Sequence, residues 1–124
     1  MNKLRLVGFY DRLGQSLLGQ QNLPDSISAD ALDIEPHIID YLRKGVCVVG
    51  RGGVMPDYLN PTPDFRLGMD LFTDGVCEWP QYLVHYVAKY HLRLPSEFIA
   101  HMIANNWVVP PVSFHEVDSK IVYV

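Results

Sequence analysis

The clearest alternation of apolar and polar positions lies in the middle of the chain, at residues 71–80. Two apolar stretches flank Thr73-Asp74-Gly75, in which Asp starts a turn through its side chain and Gly accepts a positive φ. Pro80 suits the first turn of a helix, where its missing N–H is not needed. The pattern predicts a strand, a tight turn, a second strand and then a helix.

Apolar positions spaced three and four residues apart predict helices on both sides of this hairpin. After it come two such faces, one within residues 81–90 and one beginning after Pro95, with Asn105-Asn106 able to form a left-handed cap. Before it, the same spacing predicts a helix over residues 3–20. A further helix is predicted to begin at Glu35-Pro36 and to end at Lys44-Gly45.

Short apolar runs between these helices predict strands. Val46–Val49 and Val54–Tyr58 flank the glycine-rich stretch Gly50–Gly53, and the strand Phe65–Phe72 is expected to pair with the one that follows Gly75. A glycine-rich turn can cradle phosphate with its backbone N–H groups, but neither the Walker nor the dinucleotide pattern is met. We therefore expect a plain hairpin turn at Gly50–Gly53.

The order of elements predicts an α+β fold for a single domain spanning residues 1–124. It contains a small antiparallel sheet of three or four strands with helices packed mainly on one face. The hydrophobic content of 48% and the mean hydropathy of +0.04 fit a globular protein. Apolar runs are too short for a membrane span or a secretory signal, so a cytoplasmic protein without membrane contact is expected.

Charge is distributed unevenly along the chain. The net charge of −4 argues against nucleic acid as a partner, since such proteins usually carry a basic stripe. Residues 25–40, the acidic segment, contain no Lys or Arg. Its carboxylates are the candidate partner-binding residues: Asp25, Asp30, Asp33, Glu35 and Asp40. A basic protein partner would associate rapidly with them, whereas a solvated acidic face is the simpler alternative.

Residues with metal-binding or catalytic potential lack the spacing that such chemistry requires. The five histidines form no close pair of the zinc type, and Cys47 and Cys77 form no C-x-x-C motif. No metal and no cofactor are therefore expected, and both cysteines are predicted to be buried reduced thiols. His85 and Lys89 lie four residues apart on the polar side of their helix, where a solvated surface is expected.

Three carboxylates surround the central turn. Asp70, Asp74 and Glu78 could perform acid–base chemistry if their pKa values were pushed apart. Turn formation alone accounts for Asp74, and alternation along the strands predicts that Asp70 and Glu78 are exposed. We therefore expect no catalytic residues here, and a non-enzymatic protein is favoured over an enzyme.

Large aromatic residues cluster after the hairpin, and such residues either anchor interfaces or fill cores. They are Trp79, Tyr82, Tyr86, Tyr90 and Trp107. Most are expected in the core, with one or two exposed. If the acidic segment is not an interface, the surface near Tyr82 and Tyr86 is the next candidate.

The stretch from Leu71 to Phe98, with Thr73-Asp74-Gly75, Trp79-Pro80 and Leu94-Pro95-Ser96-Glu97, resembles small bacterial immunity-type proteins of polymorphic toxin and contact-dependent growth inhibition systems. The resemblance covers about half of the chain and transfers no site residue, because these families share no chemical motif. It implies a non-enzymatic protein that binds and blocks a toxin domain encoded beside it. The alternative is a small enzyme or ligand-binding domain with a pocket between sheet and helices.

Overall fold

The computed structural model describes residues 5–6, 27–49 and 53–112. Within these ranges the chain forms short strands and three helices. In chain order they are β1 (Arg5–Leu6), α1 (Glu35–Arg43), β2 (Val46–Val49), β3 (Val54–Met55), β4 (Leu67–Gly68), β5 (Leu71–Thr73), β6 (Cys77–Pro80), α2 (Leu83–Tyr90) and α3 (Ser96–Ala104).

The strands form two sheets. The larger has the order β1-β6-β5-β2, and the smaller pairs β3 with β4. β5 pairs antiparallel with both β6 and β2, whereas β1 runs parallel to β6. The predicted α+β class with a small sheet is confirmed, and the parallel strand β1 is a feature that the sequence pattern did not predict.

The central hairpin forms as its turn chemistry predicts. Phe72 lies opposite Trp79 in the β5–β6 ladder. Asp74 Oδ1 accepts hydrogen bonds from the amides of Val76 at 2.9 Å and Cys77 at 2.8 Å. Gly75 has a φ of 96°, a conformation in which a side chain would be strained. The side chain of Asp74 thus closes the turn and leaves Oδ2 for other partners.

Trp79 lies at the centre of the core and is 1% exposed. Its ring centroid is 6.0 Å from that of Tyr41 on α1 and 5.6 Å from that of Phe98 on α3. The indole Nε1 donates a 3.2 Å hydrogen bond to the carbonyl of Leu42. A Cβ on Gly45 would lie only 2.5 Å from the indole ring, so the α1–β2 connection needs glycine there. One side chain therefore fixes both helices and a connection against the sheet.

The ends of α1 and the C-terminal end of α3 follow the predicted signals. The prediction that Pro80 lies in the first turn of a helix is wrong, because Pro80 is the last residue of β6 and α2 begins at Leu83. Pro36 lies in the first turn of α1, and Lys44 is its C-cap. After α3, the amide of Asn106 bonds to the carbonyl of Ile103 at 2.9 Å and that of Trp107 to Met102 at 3.0 Å. Asn106 has a φ of 55°. This is the Schellman arrangement, and it confirms the predicted left-handed cap.

Two predicted strand arrangements are wrong. β2 does not form a hairpin with β3, because it lies beside β5 in the larger sheet while β3 pairs with β4. The segment 65–72 is not one strand. It is interrupted at Met69-Asp70, where the amide of Met69 bonds to the carbonyl of Gly53 and the carbonyl of Asp70 accepts from Gln81. The backbone thus changes partners, and with them sheets, between β4 and β5.

The predicted helix over residues 3–20 is wrong at Arg5–Leu6, which form β1. β5 pairs with one edge of β6, and β1 supplies hydrogen-bonding partners for the backbone groups along the other edge. Local helix propensity does not reveal this long-range pairing. The remainder of that helix lies outside the described residues, as do positions 50–52 of the predicted glycine-rich turn.

Candidate functional site

The acidic segment divides into exposed and buried carboxylates. Asp30, Asp33 and Asp40 are exposed, whereas Glu35 is buried. Asp25 lies outside the described residues. Three of the five predicted partner-binding residues are therefore shown to be accessible to another protein.

Glu35 serves an internal contact. Its carboxylate lies 2.9 Å and 3.1 Å from Nδ1 of His91, the left-handed residue that ends α2. This contact ties the start of α1 to the end of α2. Glu35 therefore presents little charge to solvent, although it lies only two positions from the exposed Asp33.

The first part of the acidic segment, residues 27–33, has no regular secondary structure, yet it is held in place. The amide of Ser28 bonds to the carbonyl of Tyr90 at 3.2 Å. Arg93 Nη2 donates to Ser28 Oγ at 3.0 Å and to the carbonyl of Asp30 at 2.7 Å. These contacts involve the backbone and Ser28, so the side chain of Asp30 remains exposed.

The exposed residues of this part combine charge with apolar surface. Ile27 and Leu32 are 39% and 37% exposed, and Asp30 and Asp33 lie between and beside them. Asp33 precedes the N-cap of α1, Ile34, and that end has no side-chain capping hydrogen bond. Farther along α1, Asp40 forms an exposed pair with Lys44 at 3.1 Å, a type of contact with little net energy. Among the described carboxylates of the segment, Asp30 and Asp33 are thus the exposed ones without an ion pair.

A second group surrounds Asp57, which is completely buried. Its Oδ2 lies 2.8 Å from His85 Nε2 and 2.7 Å from the hydroxyl of Tyr90, and Lys89 Nζ is 3.8 Å away. Burial raises the pKa of the Asp57 carboxyl, but hydrogen bonds from His85, Tyr90 and the amide of Leu59 outweigh it, so the pKa lies below its usual value. The expectation that His85 and Lys89 only face solvent is wrong, because both lie close to Asp57. Asp57 is 28 positions from His85, so the spacing within the helix does not reveal the contact.

Beside this group lies an open cavity of about 570 Å³ between α2 and the loop that precedes β4. It is lined by Asn60, Thr62, Phe65, His85, Ala88 and Lys89. The rings of Phe65 and His85 lie 5.2 Å apart. Because Asp57 holds Nε2, the orientation of the imidazole at the cavity wall is fixed.

A third group surrounds Asp74. Its Oδ2 accepts a hydrogen bond from the hydroxyl of Tyr41 at 2.6 Å and lies 2.8 Å from His101 Nε2, while Asn105 Nδ2 donates to the same hydroxyl at 3.0 Å. Burial and the bond to Asp74 raise the pKa of Tyr41 well above its usual value. Turn formation alone therefore does not account for Asp74, which also connects the hairpin to α1 and α3.

Ligand-type atoms of Asp74, Cys77 and His101 lie within 4.8 Å of one another, a grouping that sequence spacing does not reveal. Hydrogen bonds already occupy both carboxylate oxygens of Asp74. Cys47 and Cys77 are free thiols, as expected, although Cys47 is only partly buried. The cluster combines three potential metal donors with a structural hydrogen-bond network.

Glu78 is buried, so the prediction that it is exposed is wrong. It lies on β6, where β1 and β5 flank the strand and all four residues are buried. Alternation predicts one exposed face only where one side of the sheet meets water. Asp70, the other carboxylate expected to be exposed, is partly buried.

The aromatic cluster is mostly core, as expected. Trp79, Tyr82 and Tyr86 are buried, and Tyr90 and Trp107 are partly exposed. The Tyr86 hydroxyl accepts a 3.0 Å hydrogen bond from the amide of Tyr58, and burial raises its pKa to about 12. The surface near Tyr82 and Tyr86 therefore offers neither ring to a partner.

Comparison with protein-family models, with curated proteins and with solved structures finds no match for the chain. None of the described helices is both long and apolar enough to cross a bilayer. Assignment of a function therefore depends on the site geometry and on the sequence resemblance.

Proposed function

We propose that the chain is a non-enzymatic, immunity-type protein that binds and neutralises a basic toxin domain. The observation that carries the proposal is the part of the acidic segment at residues 27–33. Its backbone is held by Arg93 and by the carbonyl of Tyr90, while Asp30 and Asp33 remain exposed beside Ile27 and Leu32. The resemblance of residues 71–98 to immunity-type proteins points to the same class.

A segment fixed before binding loses less conformational entropy when a partner arrives, which favours affinity. Its carboxylates would attract a basic surface and accelerate association, while its apolar side chains would exclude water in the complex. The cytoplasm, where such a protein would meet its toxin, is the compartment that the proposal implies. Catalysis has no part in this mechanism, because blocking a toxin requires only an occupied surface.

The test uses the polypeptide encoded beside this chain and measures association rates at low and high salt. The probe variant carries Asp30→Lys and Asp33→Lys, which reverse the exposed charges that form no ion pair among the described residues of the segment. The association rate at low salt should fall about tenfold, and its salt dependence should weaken, because long-range attraction is lost. Exposed substitutions of this kind change the free energy of unfolding by only about 0.5 kcal/mol.

The matched control is Asp64→Lys, an exposed carboxylate in the loop before β4. It makes one such charge change outside the acidic segment and should leave the association rate within about twofold. Failure of the neighbouring polypeptide to bind the wild-type chain would refute the proposed function. An effect of the control that is as large as that of the probe for each charge reversed would show that only net charge matters.

The cavity beside His85 supports a second candidate, a small-molecule site. The specific observation is that Asp57 fixes the imidazole while Lys89 supplies a cation at the same wall. A thermal-shift screen of small carboxylates and phosphates against wild type and His85→Gln would test it. A ligand that stabilises the wild type but not His85→Gln would favour this function, and the absence of any such ligand would remove it.

A further inference from the structure

The exposed side of α1 continues onto the C-terminal end of α3 through one contact between rings. His37, exposed on α1, stacks on Trp107 with ring centroids 5.3 Å apart and an interplanar angle of 22°. Trp107 is partly exposed, and its neighbours Ile103 and Val108 are 51% and 63% exposed. Together these four residues form a surface that we call the Trp107 patch.

The backbone at Trp107 is strained. Its φ is 60°, directly after Asn106 with a φ of 55°. The left-handed conformation is acceptable for Asn but is an outlier for a bulky residue. The Schellman bonds to Ile103 and Met102 explain the cap at Asn106, but the cap does not require a positive φ at the next residue. Strain of this type persists only where the surrounding structure holds the residue in place, and Trp107 packs against the core as well as on His37. Such outliers cluster at functional sites, which motivates a role for the exposed part of the ring.

One exposed carboxylate lies on α1 beside the patch, and another precedes the helix. His37 and Asp40 are three residues apart on α1, which places them on the same side of the helix, whereas Asp33 lies before the N-cap Ile34. Asp40 also forms an exposed pair with Lys44 at 3.1 Å. The patch thus combines a partly exposed amphipathic ring with exposed aliphatic side chains, and exposed carboxylates lie on α1 and in the turn before it. This is the arrangement of an interface hot spot, in which Trp is one of the most enriched residues.

We propose that the Trp107 patch is the anchor of the interface and that its occupant is an Arg-bearing basic face of the toxin domain. The inference rests on the proposed function. An arginine of the partner can stack on the indole while its guanidinium pairs with Asp33, or with Asp40 in place of the exposed Lys44. The arginine's apolar plane and its charge would then both be satisfied. The exposed carboxylates on and before α1 disfavour nucleic acid and an anionic membrane as occupants.

The test measures dissociation constants and rates for the complex with the neighbouring polypeptide. Trp107→Ala should raise the dissociation constant about 30-fold or more, mainly through faster dissociation, as expected for a central anchor. Trp107→Phe should retain part of the affinity because a ring remains. The control Tyr58→Ala truncates another exposed aromatic outside the patch and should change affinity less than about threefold.

Ile103→Asp provides a second probe that leaves the strained residue intact, so a folding defect in Trp107→Ala cannot hide the answer. We expect at least tenfold weaker binding, with an unchanged thermal midpoint. If Asp30→Lys, Asp33→Lys slows association but Trp107→Ala and Ile103→Asp bind as the wild type does, the anchor is refuted and the proposed function survives. If the wild type binds nothing, the proposed function itself fails. Sedimentation provides a further check on the occupant. If the wild type is a dimer and Trp107→Ala is a monomer, the patch binds a second copy of the chain, and its assignment to a toxin is overturned.

Discussion

Replacing Trp79 with Ala tests the architecture most directly, because this side chain joins the sheet to both α1 and α3. The ring is 1% exposed, and removing a buried aromatic side chain costs about 3–5 kcal/mol. The hydrogen bond from Nε1 to Leu42 is also lost, which adds about 1 kcal/mol. The expected decrease in the free energy of unfolding is therefore about 4–6 kcal/mol.

Urea denaturation followed by far-UV circular dichroism gives the measurement. With a slope of about 2 kcal/mol/M, the midpoint should fall by about 2–3 M, or the variant should be unfolded without urea. Trp79→Phe keeps most of the packing but not the Nε1 donor, and should lose about 1–2 kcal/mol. Gly45→Ala provides an independent probe, since its Cβ would lie 2.5 Å from the same ring. A Trp79→Ala midpoint equal to that of the wild type would refute this core.

Two further predictions concern the buried groups. Because the pKa of Asp57 is lowered in the fold, its contribution to stability is present above its unfolded pKa and is lost as the pH falls through the folded value. Asp57→Asn should therefore have a lower free energy of unfolding than the wild type at neutral pH, and the difference should shrink in acid. A difference that grows in acid would contradict the lowered pKa. We also predict that hydrogen bonds rather than a structural metal hold Asp74, Cys77 and His101 together. Two results would overturn this prediction: stoichiometric zinc in protein purified without added metal, or unfolding by a chelator.

Local signals predicted the second half of the fold well. Asp74 and Gly75 supplied the turn, and the three- and four-residue spacing located α2 and α3 to within a few residues. Asn106 provided a helix stop. Each of these features depends on residues that are close together in the chain, so their chemistry can be recognised without knowledge of the tertiary structure.

The pairing of strands across long separations was not predictable in this way. β2 and β5 are paired although more than 20 residues separate them. β1 lies near the start of the chain, yet it pairs with β6. The glycine-rich stretch after β2 predicted a hairpin between β2 and β3, but β2 pairs with β5 instead. Tertiary contacts decide such pairings, since strand propensity mainly reflects burial against neighbours.

The buried carboxylate–histidine contacts were missed for the same reason. Three histidines contact carboxylates far away in the sequence: the separations are 28 positions for His85, 56 for His91 and 27 for His101. No local motif therefore predicts these contacts. The one sequence signal was indirect. All three histidines lie on α2, at its end or on α3, and the apolar faces of those helices had already been identified.

Glu35 allows the structural and the partner-binding roles of the acidic segment to be separated. It is buried against His91, so Glu35→Gln should lower the free energy of unfolding by about 1–3 kcal/mol through loss of a charge-assisted hydrogen bond. Since its charge is shielded from solvent, the association rate with the toxin domain should stay within about twofold. Asp30→Lys, Asp33→Lys should do the reverse, with slow association at unchanged stability. Urea midpoints and association rates measured on both variants provide the comparison. If Glu35→Gln slowed association as strongly as the double variant, the carboxylate of Glu35 would itself act on the partner, and the division between exposed and buried acids would be wrong.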